Sequence, residues 1–222
     1  GREVPPDKFH AVLAAIAYKI LKIFNNDLSL LTVAFYLPMI ITSLAVFPAF
    51  FLARKFGGNF GGLMAGLIIA IHPSVMSRTT AGFSDTDGYN VLFPLLITWL
   101  FLMAFESDSR KKLTIFTLLA AFSVGLYSYA WSGWWHIFDF LMIATIGYLI
   151  YHTLASRNEL RDIKKFIMSP AVTNTVLIFF LFLFGSAIFV TFYTNYPTFV
   201  GGFYSPAGFT QIKAVGIVSA WP

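Results

Sequence analysis

An all-α, polytopic transmembrane helical bundle of about six spans is the fold class the sequence predicts, and three observations predict it. The chain of 222 residues is 58% hydrophobic and only 11% charged, where a soluble domain carries roughly a quarter charged residues. Phenylalanine alone supplies 26 residues, more than one soluble core needs. The apolar runs approach or exceed the roughly 20 residues that cross a bilayer as a helix, and short polar loops separate them. The net charge of +5 does not mark a nucleic-acid binder, because the positive residues lie in those loops, where they orient spans. There is no cysteine, which excludes disulfides, thiolate metal sites and thiol chemistry.

Residues 1–27 read as an external loop with a Pro5-Pro6 break, followed by an interfacial amphipathic helix from His10 to Phe24 that carries Lys19 and Lys22. The spans fill residues 28–193. Leu28 to Ala53 is the first, with Pro38 and Pro48 as expected kinks that neighbouring helices can tolerate. Phe60 to Met76 is the second and is short. Gly58, Gly62 and Gly66, four apart, predict a smooth face for close helix packing, and His72-Pro73 breaks the outer end. Tyr89 to Phe105, Leu113 to Ala130, His136 to Tyr151 and Ala171 to Tyr193 are the remaining four. Trp131-Ser132-Gly133-Trp134-Trp135 makes an aromatic turn between the fourth and fifth. Residues 194–222, rich in Gly, Pro and aromatics, read as a long external loop. The chain opens on Gly1-Arg2-Glu3 and stops at Trp221-Pro222, so it reads as part of one transmembrane domain in a longer protein.

Charge sets the orientation. Arg54, Lys55, Arg110, Lys111, Lys112, Arg157, Arg161, Lys164 and Lys165 fall in loops on one side, whereas the opposite loops after the first span carry only Arg78 and Lys213. The positive-inside rule makes the first set cytoplasmic. The reading is therefore a multi-pass protein of the cell membrane whose polar island, residues 77–88, faces the exterior.

That island, Ser77-Arg78-Thr79-Thr80-Ala81-Gly82-Phe83-Ser84-Asp85-Thr86-Asp87-Gly88, holds two acids one residue apart, and Arg78 precedes the first by seven. Asp85 and Asp87 offer hard oxygen ligands on one short turn. Mn²⁺ or Mg²⁺ would accept these and keep positions open for a phosphate-bearing substrate. The competing reading is a plain helix N-cap at Asp85 or Asp87, and spacing alone leaves both open. An EF-hand is excluded because Leu96 stands where that loop needs its bidentate Glu. Arg78 is either a headgroup anchor or a charge-assisted partner of the acids. Asp139, inside the fifth span, is a functional candidate as any intramembrane acid is, and the spacing permits a pair with His136. His72 reads chiefly as an interfacial residue.

The run from Ser77 to Gly82 followed by Asp85-Thr86-Asp87, with Pro94 downstream, resembles the second-loop Asp-x-Asp motif of the oligosaccharyltransferase catalytic subunit family. Trp131, Trp134 and Trp135 resemble the family's aromatic turn near the lipid-linked sugar. The resemblance implies transfer of a glycan from a lipid-linked diphosphate donor to the asparagine of an Asn-x-Ser/Thr sequon, with inversion at the anomeric carbon. It implies Asp85 and Asp87 as ligands of Mn²⁺ or Mg²⁺, with Arg78 supporting them. The partners would be a lipid-linked oligosaccharide, an acceptor polypeptide and the membrane, and no nucleic acid.

Three parts of the family pattern are absent from this sequence. The first-loop Asp has no counterpart, since Asp7 lacks its context. No Asp or Glu follows Asp162, so the external-loop Glu is missing. The C-terminal sequon-reading domain is missing too. The fragment alone is therefore expected to be inactive. The alternatives are another polyprenyl-sugar-dependent glycosyltransferase, such as a protein O-mannosyltransferase, and a lipid or ion transporter. A transporter predicts mid-membrane charges and repeated halves, which the sequence does not display.

Overall fold

A computed structural model describes residues 8–80, 86–156 and 168–206 of the chain. All regular structure among these residues is helical. Among the described residues, five helical stretches are long and apolar enough to cross a membrane: Leu30–Ile71, Asp87–Phe105, Arg110–Ala130, Trp135–Ala155 and Pro170–Tyr193. The chain divides into two compact units, Gly1–Met103 with Tyr129–Trp131, and Ala104–Ser128 with Ser132–Pro222.

The first unit opens with α1, Lys8–Lys22, where the apolar periodicity predicts an amphipathic helix. α2, Leu30–Leu44, is capped by Ser29, whose hydroxyl accepts the Thr32 N–H at 3.0 Å. α3, Val46–Ile71, follows after the single residue Ala45. Pro48 explains that break, because it cannot donate to the carbonyl four residues back, which belongs to Leu44. Pro38, by contrast, is carried within α2.

The candidate span Leu30–Ile71 has 42 residues, enough for a straight helix of about 63 Å, twice a bilayer core of about 30 Å. It does not run straight. Gly58 has φ 60° and ψ −161°, and the chain folds back there into a hairpin. An added Cβ would lie 3.2 Å from the Ala53 carbonyl oxygen at Gly61, 2.9 Å from the Phe50 ring at Gly62, and 3.2 Å from Val46 at Gly66. As the glycine number rises, its partner's falls, which is the register of two antiparallel limbs in near-backbone contact. Gly58 is thus the turn and not part of the packing face, and Gly61 takes the place expected for it. Its dihedrals are essentially reserved to glycine. Gly58→Ala should destabilise the protein by about 1–3 kcal/mol, read as lower thermal stability in detergent. Gly57→Ala, where nothing lies within 4 Å, should have little effect.

α4, Pro73–Thr79, follows His72, and α5 is Asp87–Phe105. α5 meets the outgoing limb twice: Gly88 lies against Pro38 and Thr42, and Trp99 stacks on Phe51 at 5.1 Å. Both numbers rise together, so α5 runs parallel to α2 and the first part of α3. That is the geometry of two crossings in the same direction with the returning limb between them.

The second unit contains α6, Arg110–Ala130, of which residues up to Ser128 belong to it. It also contains α7, Trp135–Ala155; α8, Pro170–Tyr193; and α9, residues 196–206. Gly125 sits on Phe189 and Gly185 on Ala121, so α6 and α8 run parallel at very close range. Buried Thr117, Thr145 and Thr175 donate their hydroxyls to carbonyls four residues back at 2.7–2.8 Å, which satisfies them without outside partners. Ser169 accepts the Val172 N–H and Pro170 takes the first helical position, so α8 starts with a strong signal. The region read as a loop from Thr194 opens with α9, and residues 207–222 lie outside the described residues.

Candidate functional site

Pro73 supplies the preset φ that starts α4 after the extended His72. This helix of about two turns brings Arg78 to its last turn. α5 begins at Asp87, and an acid in a first turn is favoured by the unpaired N–H groups there. Arg78 Nη1 donates to Asp87 Oδ2 at 3.1 Å. The side chains are 70% and 31% exposed, so the pair orients the carboxylate more than it stabilises the fold.

Two further contacts fix the turn that carries Asp87. At Gly88 an added Cβ would lie 2.7 Å from Thr42 Oγ1 and 3.1 Å from the Pro38 carbonyl oxygen. Only glycine lets α5 come this close to α2, where the Thr42 hydroxyl already donates to Pro38 at 2.8 Å. Tyr89, 1% exposed, shares a hydrogen bond with His10 Nδ1 of α1 at 3.0 Å. Phe9 meets Tyr89, Phe93 and Tyr129 edge-on, with centroids 5.2, 6.0 and 5.9 Å apart. The N-terminal amphipathic helix is thereby pinned to the start of the acid-bearing helix. Below α4, a cavity of about 260 Å³ lies among Thr42, Val46, Ile69, Val75 and Thr79.

The residues singled out in the sequence fare differently. Arg78 and Asp87 are brought together. Asp85 lies outside the described residues. Asp87 Oδ2 is held by Arg78, so Asp87 does not act as a backbone cap. Its Oδ1 has no partner among the described residues. No three His, Asp or Glu side chains converge into a metal-holding group among those residues. Asp87 alone therefore offers one free carboxylate oxygen to a cation, and a full ligand set needs donors beyond it.

Trp134 is 1% exposed and packs on Phe138 at 5.8 Å and Phe199 at 6.3 Å. Gly202 of α9 lies against its indole, where a Cβ would be 3.1 Å away. It is a core residue and has no face left for a sugar. Trp131 is 38% exposed and Trp135 half-buried. His136 Nδ1 donates to the Gly133 carbonyl, which closes the aromatic turn. The His136–Asp139 pair that the spacing permits is not formed, and Asp139, half-buried, has no hydrogen-bond or ion-pair partner among the described residues. Phe9, His10, Gly88 and Tyr89 were not legible as site residues. Gly88 was open to notice, since a glycine directly after an acid at a helix start has a structural cost.

The whole chain answers to known proteins. A family model described as oligosaccharyl transferase STT3, N-terminal, matches residues 1–221. The dolichyl-phosphooligosaccharide-protein glycotransferase of Methanococcus voltae is 26% identical over 248 residues, covering 100% of this chain and 27% of that protein. The undecaprenyl-diphosphooligosaccharide–protein glycotransferase of Campylobacter jejuni is 27% identical, covering 80% of this chain and 23% of that protein. Among solved structures, the archaeal oligosaccharyltransferase AglB from Archaeoglobus fulgidus, in complex with an inhibitory peptide and a dolichol-phosphate, superposes with a TM-score of 0.65. It is 20% identical over 95% of this chain and 25% of that one, a likeness of fold. The chain spans about a quarter of the length of these relatives.

Proposed function

This chain belongs to the oligosaccharyl transferase STT3 N-terminal family, and from that premise we propose that the protein moves an oligosaccharide from a lipid-linked diphosphate donor to the asparagine of Asn-x-Ser/Thr sequons. The observation that carries this reading is the Arg78–Asp87 pair at the mouth of α5, an oriented carboxylate on a short polar stretch between two spans. Asp85 and Asp87 would hold Mn²⁺ or Mg²⁺ in this reading. Bound there, the ion supplies positive charge toward a diphosphate leaving group.

The chain's own residues position. Arg78 keeps Asp87 turned toward the α4–α5 connection, and Gly88 and Tyr89 lock the helix end that bears it. In this reading the acceptor amide nitrogen attacks the anomeric carbon beside Asp87, the bond from that carbon to the lipid diphosphate breaks as the C–N bond forms, the nitrogen loses a proton, and the backside approach inverts the sugar. Trp131 and Trp135 are the members of the aromatic turn with surface to offer a sugar ring. The site faces the cell exterior, by the loop charges that place Arg54, Lys55 and Arg110–Lys112 inside.

The reading is tested with the full-length protein, lipid-linked oligosaccharide and two peptides, one with an Asn-x-Thr sequon and one with serine as the sole acceptor. Transfer to the sequon peptide should exceed transfer to the serine peptide by about 10⁴-fold, the discrimination expected when a site pairs a specific polar group. Transfer to the serine peptide with the sequon peptide inert would instead assign a protein O-glycosyltransferase. Mn²⁺ chelation should stop the reaction, and re-addition should restore it.

A further inference from the structure

At the end of α5 far from Asp87 lies a second hollow, of about 380 Å³, bounded by Phe51, Arg54, Lys55, Trp99 and Met103. Its place in the membrane follows from helix geometry. Asp87 starts α5 and Met103 lies near its end, about 24 Å away at 1.5 Å per residue. The hollow also sits just before the Gly58 turn of the hairpin. It therefore opens at the membrane face opposite the Arg78–Asp87 pair, where the loop charges put the cytosol.

Its chemistry is divided. The floor is apolar: Phe51 and Trp99 stack with centroids 5.1 Å apart and planes 10° from parallel, and Met103 completes it. The rim is cationic, with Arg54 and Lys55 both exposed. Arg54 makes no hydrogen bond or ion pair among the described residues, whereas Lys55 already has an interaction of its own, so Arg54 is the primary phosphate contact and Lys55 adds charge beside it. Beside the rim, Phe56 and Phe60 are 85% and 72% exposed at the hairpin turn, which suits lipid and not water. Charges that serve only to orient a span need no hollow. Here two of them overhang an aromatic floor at the level where lipid headgroups meet their acyl chains. A planar guanidinium grips phosphate oxygens two at a time, and an ammonium adds a point charge.

We propose that this hollow binds an anionic phospholipid of the inner leaflet, its phosphate on Arg54 and Lys55 and the start of its acyl chains on Phe51, Trp99 and Met103. Basic hollows between spans on the cytosolic side recognise anionic headgroups through these same contacts. The inference does not depend on the reaction proposed above.

The test uses the full-length protein in detergent, with lipid retention read by native mass spectrometry. Phosphatidylglycerol should be retained roughly tenfold better than phosphatidylcholine, as two basic residues near an anionic headgroup supply. Arg54→Gln with Lys55→Gln should remove the preference. Arg54→Lys with Lys55→Arg keeps both charges and should keep it. Fluorescence gives an independent reading: brominated phosphatidylglycerol should quench a component that disappears in Trp99→Phe, and brominated phosphatidylcholine should not. Should the Gln variant fold poorly, this quenching contrast in the unaltered protein decides the matter. Equal retention of the two lipids, a preference that survives the Gln variant, or displacement by millimolar inorganic phosphate would overturn the proposal, the last by revealing a small-anion site.

Discussion

Asp87→Asn in the full-length protein is expected to lower kcat/KM for sequon-peptide glycosylation by about 10²- to 10³-fold, the usual loss when one group aimed at developing charge is removed. The substitution keeps the shape of the side chain. It removes a negative charge from the first turn of α5, which costs stability only about 0.3–1 kcal/mol, and it breaks an ion pair whose members are 70% and 31% exposed. Folding should therefore be nearly unchanged while activity falls, and the two readings separate a functional acid from a structural one. Arg78→Gln should act in the same direction but less strongly, because it frees the carboxylate without removing it. A thermal stability that falls in step with activity would return Asp87 to a packing role, and full activity in Asp87→Asn would end the proposal for this site.

The second large effect concerns the fold. At Gly125 an added Cβ would lie 2.6 Å from Phe189 Cβ and 3.0 and 3.1 Å from that residue's carbonyl carbon and oxygen. Those are backbone atoms and the root of a side chain, so no rotamer change can make room. Gly125→Val adds two methyl groups beyond the Cβ and must push α6 away from α8. Overpacking of this kind costs about 1–3 kcal/mol or more, and the parallel contact at Gly185 on Ala121 would be strained with it. The yield of folded, monodisperse protein after extraction should collapse. Gly147→Ala in α7, with nothing within 4 Å of the new methyl, should be tolerated and gain slightly from helix propensity. Equal behaviour of the two variants would refute the close α6–α8 contact.

The contrast shows what a sequence of this kind discloses. The helices were legible because hydrophobic length is a local property, although the first apolar run divides at Ala45 into α2 and the start of α3. The break at His72-Pro73, the amphipathic α1 and the turn at Trp131–Trp135 were legible for the same reason. Partnership was not. Gly58, Gly62 and Gly66 look alike in a line of text, yet the first is the hairpin turn and the others are contact points, a difference set by a dihedral angle and by Phe50 and Val46 across the hairpin. Trp134 looked as available as Trp131 until α9, a helix hidden in a Gly- and Pro-rich stretch, laid Gly202 and Phe199 against it. The acid and arginine of the site were visible as a motif. The residues that hold them, His10 and Tyr89, are 79 positions apart, beyond any local pattern.

The brevity of the hairpin's second limb carries a consequence for the segment that follows it. Residues 59–71 form a helix of about 20 Å, ending where His72 departs from helical geometry. A hydrocarbon layer is about 30 Å deep, so a limb that starts at its lower edge stops about 10 Å short of the upper one. The chain therefore needs α4, seven residues and about 10 Å long, to bring Arg78 to the start of α5, where it meets Asp87.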